Sequence, residues 1–440
     1  METINHNKLN TYPRYLKYKD SGIDWIGEIP EGWEVLSNKY IFSVKKDVVG
    51  KFAHKYDLLS LTLRGIIKRD LDNPEGKFPA EFDSYQKVKK GDFIFCLFDI
   101  EETPRTVGLS DFDGMITGAY TIMEVSETFS KEYLYYLYLH LDNGKLLKPF
   151  YKGLRNTIPK DIFSSLKLPI PPLAEQQQIA DFLDSKTALI DEAIGLKQQQ
   201  IDKLKEYKQI TIQTAVTRGL NPNAPMKNSG IDWIGEIPEH WEVKKLKFST
   251  DINKYSLDEN TPPNTVLKYV DIGSVTFENG IEKVEQYSFK NSPSRARRIA
   301  KVNSVVVSTV RTYLKATTLI TEKFSDCIFS TGFAVLEGKI GIDYRYLSFF
   351  VKSDAFTIQV MLNSKGMSYP AINTSDLANI VLFIPPLAEQ QQIADYLEQK
   401  SAEIDATITH YEQQIDKLKE YKTVLIQAAV TGRIKVSNDG

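Results

Sequence analysis

Two long stretches of the chain carry apolar residues at helical spacing, with charged and glutamine side chains at most other positions. In each stretch the apolar steps are 4, 7, 4, 7 and 3 residues. This spacing predicts a long helix with a single apolar seam along one side. The first seam consists of Ile179, Leu183, Ile190, Ile194, Ile201 and Leu204, and the second of Ile393, Leu397, Ile404, Ile408, Ile415 and Leu418.

The predicted helices span 171–219 and 385–433. Each begins at a Pro-Pro pair, because proline suits the first turn of a helix, and Glu175 follows where the helix dipole favours an acid. Arg218 and Gly219 are typical of a helix end. Each helix would be roughly 65 Å long at ~1.5 Å per residue, and its single apolar stripe requires a partner helix. We expect an antiparallel coiled coil within the chain; pairing between two chains is the alternative.

The chain is an internal repeat. Residues 21–35 recur at 229–243 with one change, Gly32 to His240. Residues 171–181 recur without change at 385–395, and residues 199–208 at 413–422. We call these the repeated segments. The sequence between them has diverged, which predicts two different domains on a duplicated frame.

Between the repeated segments, the chain mixes strand-like runs such as 92–98 with helix-like runs such as 132–140. This favours an α+β fold with two globular domains separated by two long antiparallel α-helices, in a pseudo-two-fold repeat. The pattern predicts a first domain at 1–170, a first helix at 171–219, a linker at 220–228, a second domain at 229–384, a second helix at 385–433 and a C-terminal tail at 434–440.

Composition narrows the class of protein. The 440 residues exceed the usual size of one core. A hydrophobic content of 42% without an apolar run of membrane length argues against a membrane protein. The first residues lack the features of a signal peptide, and two cysteines, Cys96 and Cys327, make no disulfide framework, so a cytoplasmic location is expected. A net charge of −2 means that nucleic acid would have to be bound by local basic patches.

No catalytic or metal site is evident in the sequence. Phosphate-binding loops of the GxxxxGK[ST] type, GxSxG and HExxH are absent, as is the [DNS]PP[YFW] motif of amino-methyltransferases. The two cysteines lack a nearby histidine and are expected to be buried strand residues. The five histidines show no ligand spacing: His6, His54, His140, His240 and His410. One carboxylate group suggests either a metal cluster or, as we prefer, loop solvation: Asp99, Glu101, Glu102, Asp111 and Asp113.

Small basic clusters beside strands are candidate contacts to a phosphate backbone. By default, any one of them is a solvated protein face. The candidates are Lys87, Lys89 and Lys90, then Arg295, Arg297 and Arg298, and then Arg311 with Tyr313.

A loop before each Pro-Pro helix combines glycine, a cation and small polar side chains. Glycine permits close approach of the backbone, and arginine or asparagine can bind base edges with two hydrogen bonds. A plain structural turn is the alternative. The candidates are Lys152, Arg155, Asn156 and Thr157 in the first loop and Lys365, Ser368 and Tyr369 in the second.

We call residues 21–35 and their copy at 229–243 the tryptophan segments. The chain resembles the specificity subunit of type I DNA restriction-modification systems in the order of its parts: a tryptophan segment, a variable domain and a Pro-Pro-Leu-Ala-Glu-Gln helix, followed by a second such unit. The resemblance covers essentially the full chain. It implies that the variable domains are target recognition domains, each binding one half of a bipartite site in double-stranded DNA. It also implies docking of two modification subunits, which use S-adenosylmethionine to methylate adenine, and of two restriction subunits, which use ATP with Mg, in complexes that cleave DNA. This chain itself would hold no cofactor.

The resemblance and the unlike domains together predict a non-catalytic reader of an asymmetric site, since palindromic sites go with identical halves. Half-sites on one face of a duplex lie about 34 Å apart per helical turn, so a rigid helix pair could set their spacing. Two alternatives belong to other classes. One is an enzyme that cleaves or methylates DNA alone, and the other is a coiled-coil adaptor that binds proteins without DNA specificity.

Overall fold

The computed structural model describes residues 11–70, 81–100, 103 and 105–436. Two compact units are present, Met1–Lys197 with Glu412–Gly440, and Gln198–Tyr411. Helices and strands are mixed in both, which confirms the α+β class. His6, Glu101, Glu102 and residues 437–440 of the predicted tail lie outside the described residues. Within the described ranges, none of the helices has the length and apolarity that crossing a membrane requires.

Among the described residues, the first domain has twelve short strands and two α-helices, followed by the first long helix. In chain order the elements are β1 Tyr18–Asp20, β2 Glu28–Pro30, β3 Glu34–Ser37, β4 Phe42–Lys45, β5 Leu59–Thr62, β6 Gly65–Lys68, β7 Gln86–Val88, β8 Phe93–Phe95, β9 Val107–Leu109, β10 Gly114–Ile116, β11 Thr121–Val125, α1 Lys131–Asn143, α2 Lys160–Ser165, β12 Lys167–Ile170 and α3 Leu173–Arg218.

The second domain follows the same plan with more strands, and the second long helix follows it. The elements are β13 Met226–Asn228, β14 Glu236–Pro238, β15 Glu242–Lys245, α4 Leu246–Ser249, β16 Thr250–Ile252, β17 Val266–Val270, β18 Val275–Thr276, β19 Gly280–Ile281, β20 Glu285–Ser288, β21 Ala296–Ile299, β22 Val305–Ser308, β23 Thr317–Leu319, β24 Cys327–Ser330, β25 Phe333–Gly338, α5 Tyr344–Lys352, α6 Asp354–Leu362, α7 Thr374–Leu377, β26 Val381–Ile384 and α8 Leu387–Val430.

One four-stranded antiparallel sheet is common to the two domains. Its strand order is β4-β11-β8-β9 in the first domain and β16-β25-β22-β23 in the second. The remaining strands differ: the second domain adds a four-stranded sheet in the order β20-β17-β24-β21, whereas the first has two-stranded pairs. The divergence of sequence is therefore accompanied by a divergence of structure outside the common sheet.

The strands that enter and leave each domain pair with each other. Strand β3, which begins in the first tryptophan segment, pairs antiparallel with β12, and β15 pairs in the same way with β26. The variable sequence lies between these paired strands in both domains. Because this strand pair joins the beginning and the end of each domain, the sequence inserted between the two strands can change without loss of the frame.

The long helices pair antiparallel within each unit. In the first unit, Lys422 of α8 binds Asp191 of α3 at 2.6 Å. In the second, Lys208 of α3 binds Asp405 of α8 at 2.7 Å. Nine of the twelve seam residues are buried, and the other three, Ile194, Leu204 and Leu418, are partly buried. The antiparallel pairing predicted within one chain is confirmed.

A buried tyrosine joins each domain to the helix pair of its unit. The Tyr133 hydroxyl lies 2.8 Å from the carbonyl oxygen of Pro169 and 3.2 Å from that of Val430. The hydroxyl of Tyr346, 213 positions later, lies 2.8 Å from the carbonyl oxygen of Phe383 and 3.4 Å from that of Val216. Each hydroxyl thus contacts the last strand of its domain and the end of the helix that pairs beside it.

The glutamine of each Pro-Pro-Leu-Ala-Glu-Gln segment is a second fixed contact. The Gln176 side chain donates to the Pro171 carbonyl at 2.8 Å and accepts from the Ser130 backbone N–H at 2.9 Å. In the same way, the Gln390 side chain donates to the Pro385 carbonyl at 2.9 Å and accepts from the Asp343 backbone N–H at 2.8 Å. Ser130 and Asp343 are the N-cap residues of α1 and α5. The repeated motif therefore holds two helix starts together.

The one change in the tryptophan segment has a structural reason. His240, which stands where the first copy has Gly32, binds Glu389 at 2.7 Å, and the Trp241 ring nitrogen donates to the same carboxylate at 3.1 Å. In the first unit, the equivalent Glu175 instead accepts from the Tyr15 hydroxyl. The carboxylate near each helix start is satisfied in both copies by different partners.

His140 is an ionisable group inside the first unit. Its exposed fraction is 6%, and its Nε2 atom has no hydrogen-bond partner among the described residues. Burial, together with the positive charge of Arg433, lowers the pKa of His140 to about 4. The histidine is neutral in the folded protein at neutral pH.

Replacing a seam leucine should destabilise the protein. Leu183 is completely buried, so Leu183→Ala should lower the free energy of unfolding of its unit by about 2–5 kcal/mol through lost burial and the cavity that remains. Leu189 on the same helix is 57% exposed, and Leu189→Ala is the matched control, with a change of about 0.5 kcal/mol or less. Urea unfolding followed by circular dichroism measures both, and equal midpoints would contradict a buried seam.

Acid should destabilise the first unit through His140. As the pH falls from 7 to 5, the unfolded histidine binds a proton that the folded one, with its pKa of about 4, does not. Stability therefore falls with the pH, by about 2 kcal/mol over this window. The variant His140→Leu should show a shallower pH dependence of the thermal midpoint than the wild type. Parallel profiles for the two proteins would show that His140 takes up its proton while folded.

Candidate nucleic-acid interface

The loop before each Pro-Pro helix forms a hairpin. In the first hairpin, residues 152–157, Lys152 and Thr157 exchange backbone hydrogen bonds of 2.9 and 3.1 Å. In the second, residues 365–371, Lys365 and Ala371 exchange two of 2.9 Å. The structure thus forms both predicted loops as turns with exposed tips.

Each hairpin rests on the loop that follows the third strand of the common sheet. After β8, the Asp99 N–H donates to the Arg155 carbonyl at 2.8 Å. After β22, the Thr312 N–H donates to the Pro370 carbonyl at 3.3 Å. Asp99 and Arg311 hold left-handed backbone angles, with φ of 47° and 51°. Such angles are uncommon outside glycine and are frequent at functional sites.

In the first domain the loop and hairpin fix an arginine side chain. Asp99 accepts from Nε of Arg155 at 3.3 Å and from Nη2 at 2.6 Å, and the guanidinium lies 5.7 Å from the centre of the Phe98 ring. The arginine holds the pKa of Asp99 below its ordinary value. Because Asp99 occupies only part of the planar fork, the other N–H donors of Arg155 remain available to a ligand.

We call the contact between the strand loop and the hairpin the junction of each domain. In the second domain, the arginine at the junction belongs to the strand loop rather than to the hairpin. Arg311 belongs to the loop after β22, and its guanidinium lies 5.2 Å from the centre of the Tyr369 ring in the hairpin. Tyr369 is 67% exposed and Tyr313 is 51% exposed. The structure therefore brings together two clusters that are more than fifty residues apart in sequence, Arg311 with Tyr313 and Lys365 with Ser368 and Tyr369.

The basic cluster on β7 is largely paired with acids. Lys87 binds Asp47 at 2.9 Å, and Lys89 binds Asp113 at 3.1 Å. Asp113 also accepts from the Lys90 backbone N–H at 2.8 Å. These pairs reduce the positive charge that the sequence cluster suggested for this surface.

The arginines near β21 lie in three different environments. Arg295 is exposed, whereas Arg297 is partly buried, with its guanidinium 5.4 Å from the Phe289 ring centre. The Nε atom of Arg298 is buried and has no partner among the described residues, and desolvation lowers the pKa of this arginine. Arg295 is the exposed member of this cluster.

The described residues contain neither a cluster suited to a metal ion nor an exposed thiol. No group of three or more histidine, cysteine or acidic side chains within them could hold a metal ion. Cys96 and Cys327 are buried and unpaired, and burial raises the pKa of both thiols. Asp99 and Asp113 of the carboxylate group have cationic partners rather than a shared centre.

Sequence reasoning missed the roles of Asp99 and Phe98, which position Arg155. They precede it by 56 and 57 residues, and no local pattern links the three. The hairpin tips, Leu154 and Met367, were also missed, although both follow a Lys-Gly pair 213 positions apart. That offset was the available signal.

Comparison with known proteins places the chain in a family. The sequence profile described as "Type I restriction modification DNA specificity domain" matches residues 109–206 and 238–419, more than half of the chain. The type I restriction enzyme MjaVIII specificity subunit of Methanocaldococcus jannaschii is 29% identical over 297 residues, which cover 64% of this chain and 65% of that protein.

Two further comparisons extend over nearly the full length. A protein of the same organism, provisionally named the type I restriction enzyme MjaX specificity subunit, is 26% identical over 93% of this chain and 96% of its own length. A chain of the solved structure described as the "structural basis underlying complex assembly and conformational transition of the type I R-M system" has a TM-score of 0.65 at 16% identity. It covers 91% of this chain and 98% of its own length, and so shares the fold.

The duplicated frame, the fold and the matched profile lead to one conclusion. This chain belongs to the type I restriction-modification DNA specificity family.

Proposed function

We propose that the chain recognises an asymmetric bipartite site in double-stranded DNA, one half-site per domain, and directs adenine methylation and restriction by partner subunits. The chain supplies no catalytic group in this scheme. Two modification subunits would bring S-adenosylmethionine, and two restriction subunits would bring ATP with Mg. The role of the helix pair in setting the number of unread base pairs stays a prediction.

The observation that carries the proposal is the arginine at the same junction in each domain. Arg155 is held by Asp99 and Phe98, and Arg311 stacks on Tyr369. A positioned guanidinium can donate two hydrogen bonds to O6 and N7 of guanine in the major groove, and nearby lysines can contact phosphates. Lys152 and Lys365 are exposed at the base of the two hairpins.

An asymmetric target is supported by the difference between the two junctions. The arginine is part of the hairpin in the first domain and part of the strand loop in the second. Its neighbours are Asp99 and Phe98 in the one and Tyr369 in the other. Because the two arginines have different neighbours and lie on different elements, the two domains should read different bases.

Two identical partners are supported by the repeated segments. Residues 171–181 and 385–395 have the same sequence, and Gln176 and Gln390 make matching hydrogen bonds within their units. A surface that occurs twice in one chain can bind two copies of one protein. We therefore assign the modification subunits to the repeated segments and DNA to the variable domains.

Removing either arginine should weaken recognition at one half-site. We expect Arg155→Ala and Arg311→Ala each to reduce affinity for the cognate duplex by about 1–3 kcal/mol and to relax base preference in its own half-site only. Titration of single-base variants of the site by electrophoretic mobility shift, with the chain assembled with its modification subunits, measures both effects.

The matched control is Lys39→Ala, which also removes a cation stacked on an aromatic ring, 4.9 Å from the centre of Tyr40. It should leave base preference unchanged. If both arginine variants kept full affinity and preference, the proposed junctions would not be reading sites. If the wild-type complex showed no salt-sensitive DNA binding, the adaptor alternative would be favoured.

The chain should determine one methylation motif in a cell. Expression together with its modification subunits in a host lacking adenine methylation should produce methylated adenines at a single bipartite motif with unlike halves. Omission of this chain should remove that methylation, since the partners lack sequence preference in this scheme. Single-molecule sequencing of the host genome provides the measurement, and a palindromic motif would contradict the assignment of unlike readers.

A further inference from the structure

Each hairpin carries a large apolar side chain at its tip with no protein contact to cover it. Leu154 is 105% exposed in the first hairpin and Met367 is 103% exposed in the second. A single exposed leucine is ordinary on a protein surface. Here the same feature occurs at the matching position of two divergent domains, 213 residues apart.

The tips are alike while the residues after them differ. Lys-Gly-Leu begins the first hairpin and Lys-Gly-Met the second, and the following residues are Arg-Asn-Thr and Ser-Tyr-Pro. Residues that read sequence must differ between unlike half-sites. A position that stays apolar in both should contact something that both half-sites share.

The tips are held in place by the backbone. Besides the hydrogen bonds that close each hairpin, the Arg155 and Pro370 carbonyls accept from the strand loops. Gly153 and Gly366, directly before the tips, have φ of 71° and 105°, which other residues rarely adopt. A rigid support of this kind lets an exposed side chain enter a ligand without a large loss of loop entropy.

The charge around the tips indicates the ligand. Residues 151–160 and 364–373 contain no acidic side chain. Exposed cations lie close to both tips, Lys152 and Arg155 in the first unit and Lys365 and Arg311 in the second. Asp99 pairs with Arg155 and offsets part of the charge at the first tip, while Lys152 adds a second cation there. Cations around an apolar tip suit a polyanion with an apolar interior, and the stacked bases of duplex DNA have this character.

We propose that Leu154 and Met367 are apolar wedges that enter the DNA groove and press against a base step, partly unstacking it, in their respective half-sites. In proteins that bind the minor groove, leucine and methionine side chains insert between base steps and unstack them. The same apolar contact with a base step is available to a tip that enters the major groove beside an arginine. The contact is independent of sequence, because every step presents a stacked face. This inference rests on the proposed function, since it requires that the two domains bind DNA.

The wedge is tested by the fluorescence of 2-aminopurine, which rises when the base unstacks. The full chain, assembled with its modification subunits, is bound to duplexes that carry the mapped motif with 2-aminopurine at successive positions, excluding the methylated adenines. We expect a rise at one step in each half-site. Leu154→Ala should abolish the rise in the first half-site only, and Met367→Ala in the second only.

Affinity gives an independent readout. Each alanine variant should bind roughly tenfold more weakly, the loss expected for one stacking contact, with the slope of binding against salt unchanged because no charge is removed. Leu154→Met should bind like the wild type. Leu154→Lys should bind more weakly still, although an added cation near phosphates alone would strengthen binding.

The controls match the exposure of the tips. Leu16 in the first unit is 102% exposed and Ile340 in the second is 108% exposed, so Leu16→Ala and Ile340→Ala remove equivalent surface elsewhere. Both should leave fluorescence and affinity unchanged. Because all four positions are fully exposed, none of the variants should impair folding.

The outcomes separate this inference from the proposed function. Wild-type complex that fails to bind the duplex would refute the proposed function itself. Binding by the wild type with unchanged fluorescence and affinity in both alanine variants would overturn the wedge alone. Loss of the modification subunits from Leu154→Ala or Met367→Ala, with DNA contacts intact, would also overturn it and assign the tips to a protein interface.

Discussion

In each unit a buried tyrosine hydroxyl lies between the carbonyl of the domain's last strand and the carbonyl near the end of a long helix. Tyr133 and Tyr346 are completely buried or nearly so, and removing either hydroxyl would leave two carbonyls without this partner at a cost of about 1–3 kcal/mol. The contact involves only backbone acceptors on the partner elements. It can therefore hold any domain that supplies a tyrosine at this position and ends in the same strand, whatever that domain reads.

The helices were predictable because their signal is local. Apolar spacing and the Pro-Pro pair determine the observed start at Leu173 and Leu387, and Gly219 takes the left-handed angle expected at a helix end. The common sheet was not predictable in its strand order, since its strands are short and pair over long separations. Only part of the arginine junctions was predictable. Arg155 and Arg311 were candidates, but the residues that hold them are distant in sequence. The left-handed backbone angles at Asp99 and Arg311 carry no signal in the sequence either, because neither residue is glycine.

Basic residues that are adjacent in sequence differ from basic surface in space. Lys87 and Lys89 form a dense cluster with Lys90, yet the fold places Asp47 and Asp113 against them. Arg155 stands alone in sequence, and one carboxylate orients it while leaving other donors open. A protein with a net charge of −2 can in this way present directed cations at two small sites without a generally basic surface.

The ion pairs between the long helices carry a consequence for how the chain arose. Asp191 and Lys422 in one unit correspond, through the offset of 214 residues, to Asp405 and Lys208 in the other, with the same two positions exchanging roles. Residue i meeting j while j meets i is the signature of an isologous contact between identical subunits. A polypeptide carrying a single repeat would hold both members of the pair, and two copies of it could assemble without the covalent linker. Such an ancestor would carry identical readers, and fusion would then have freed each half to diverge.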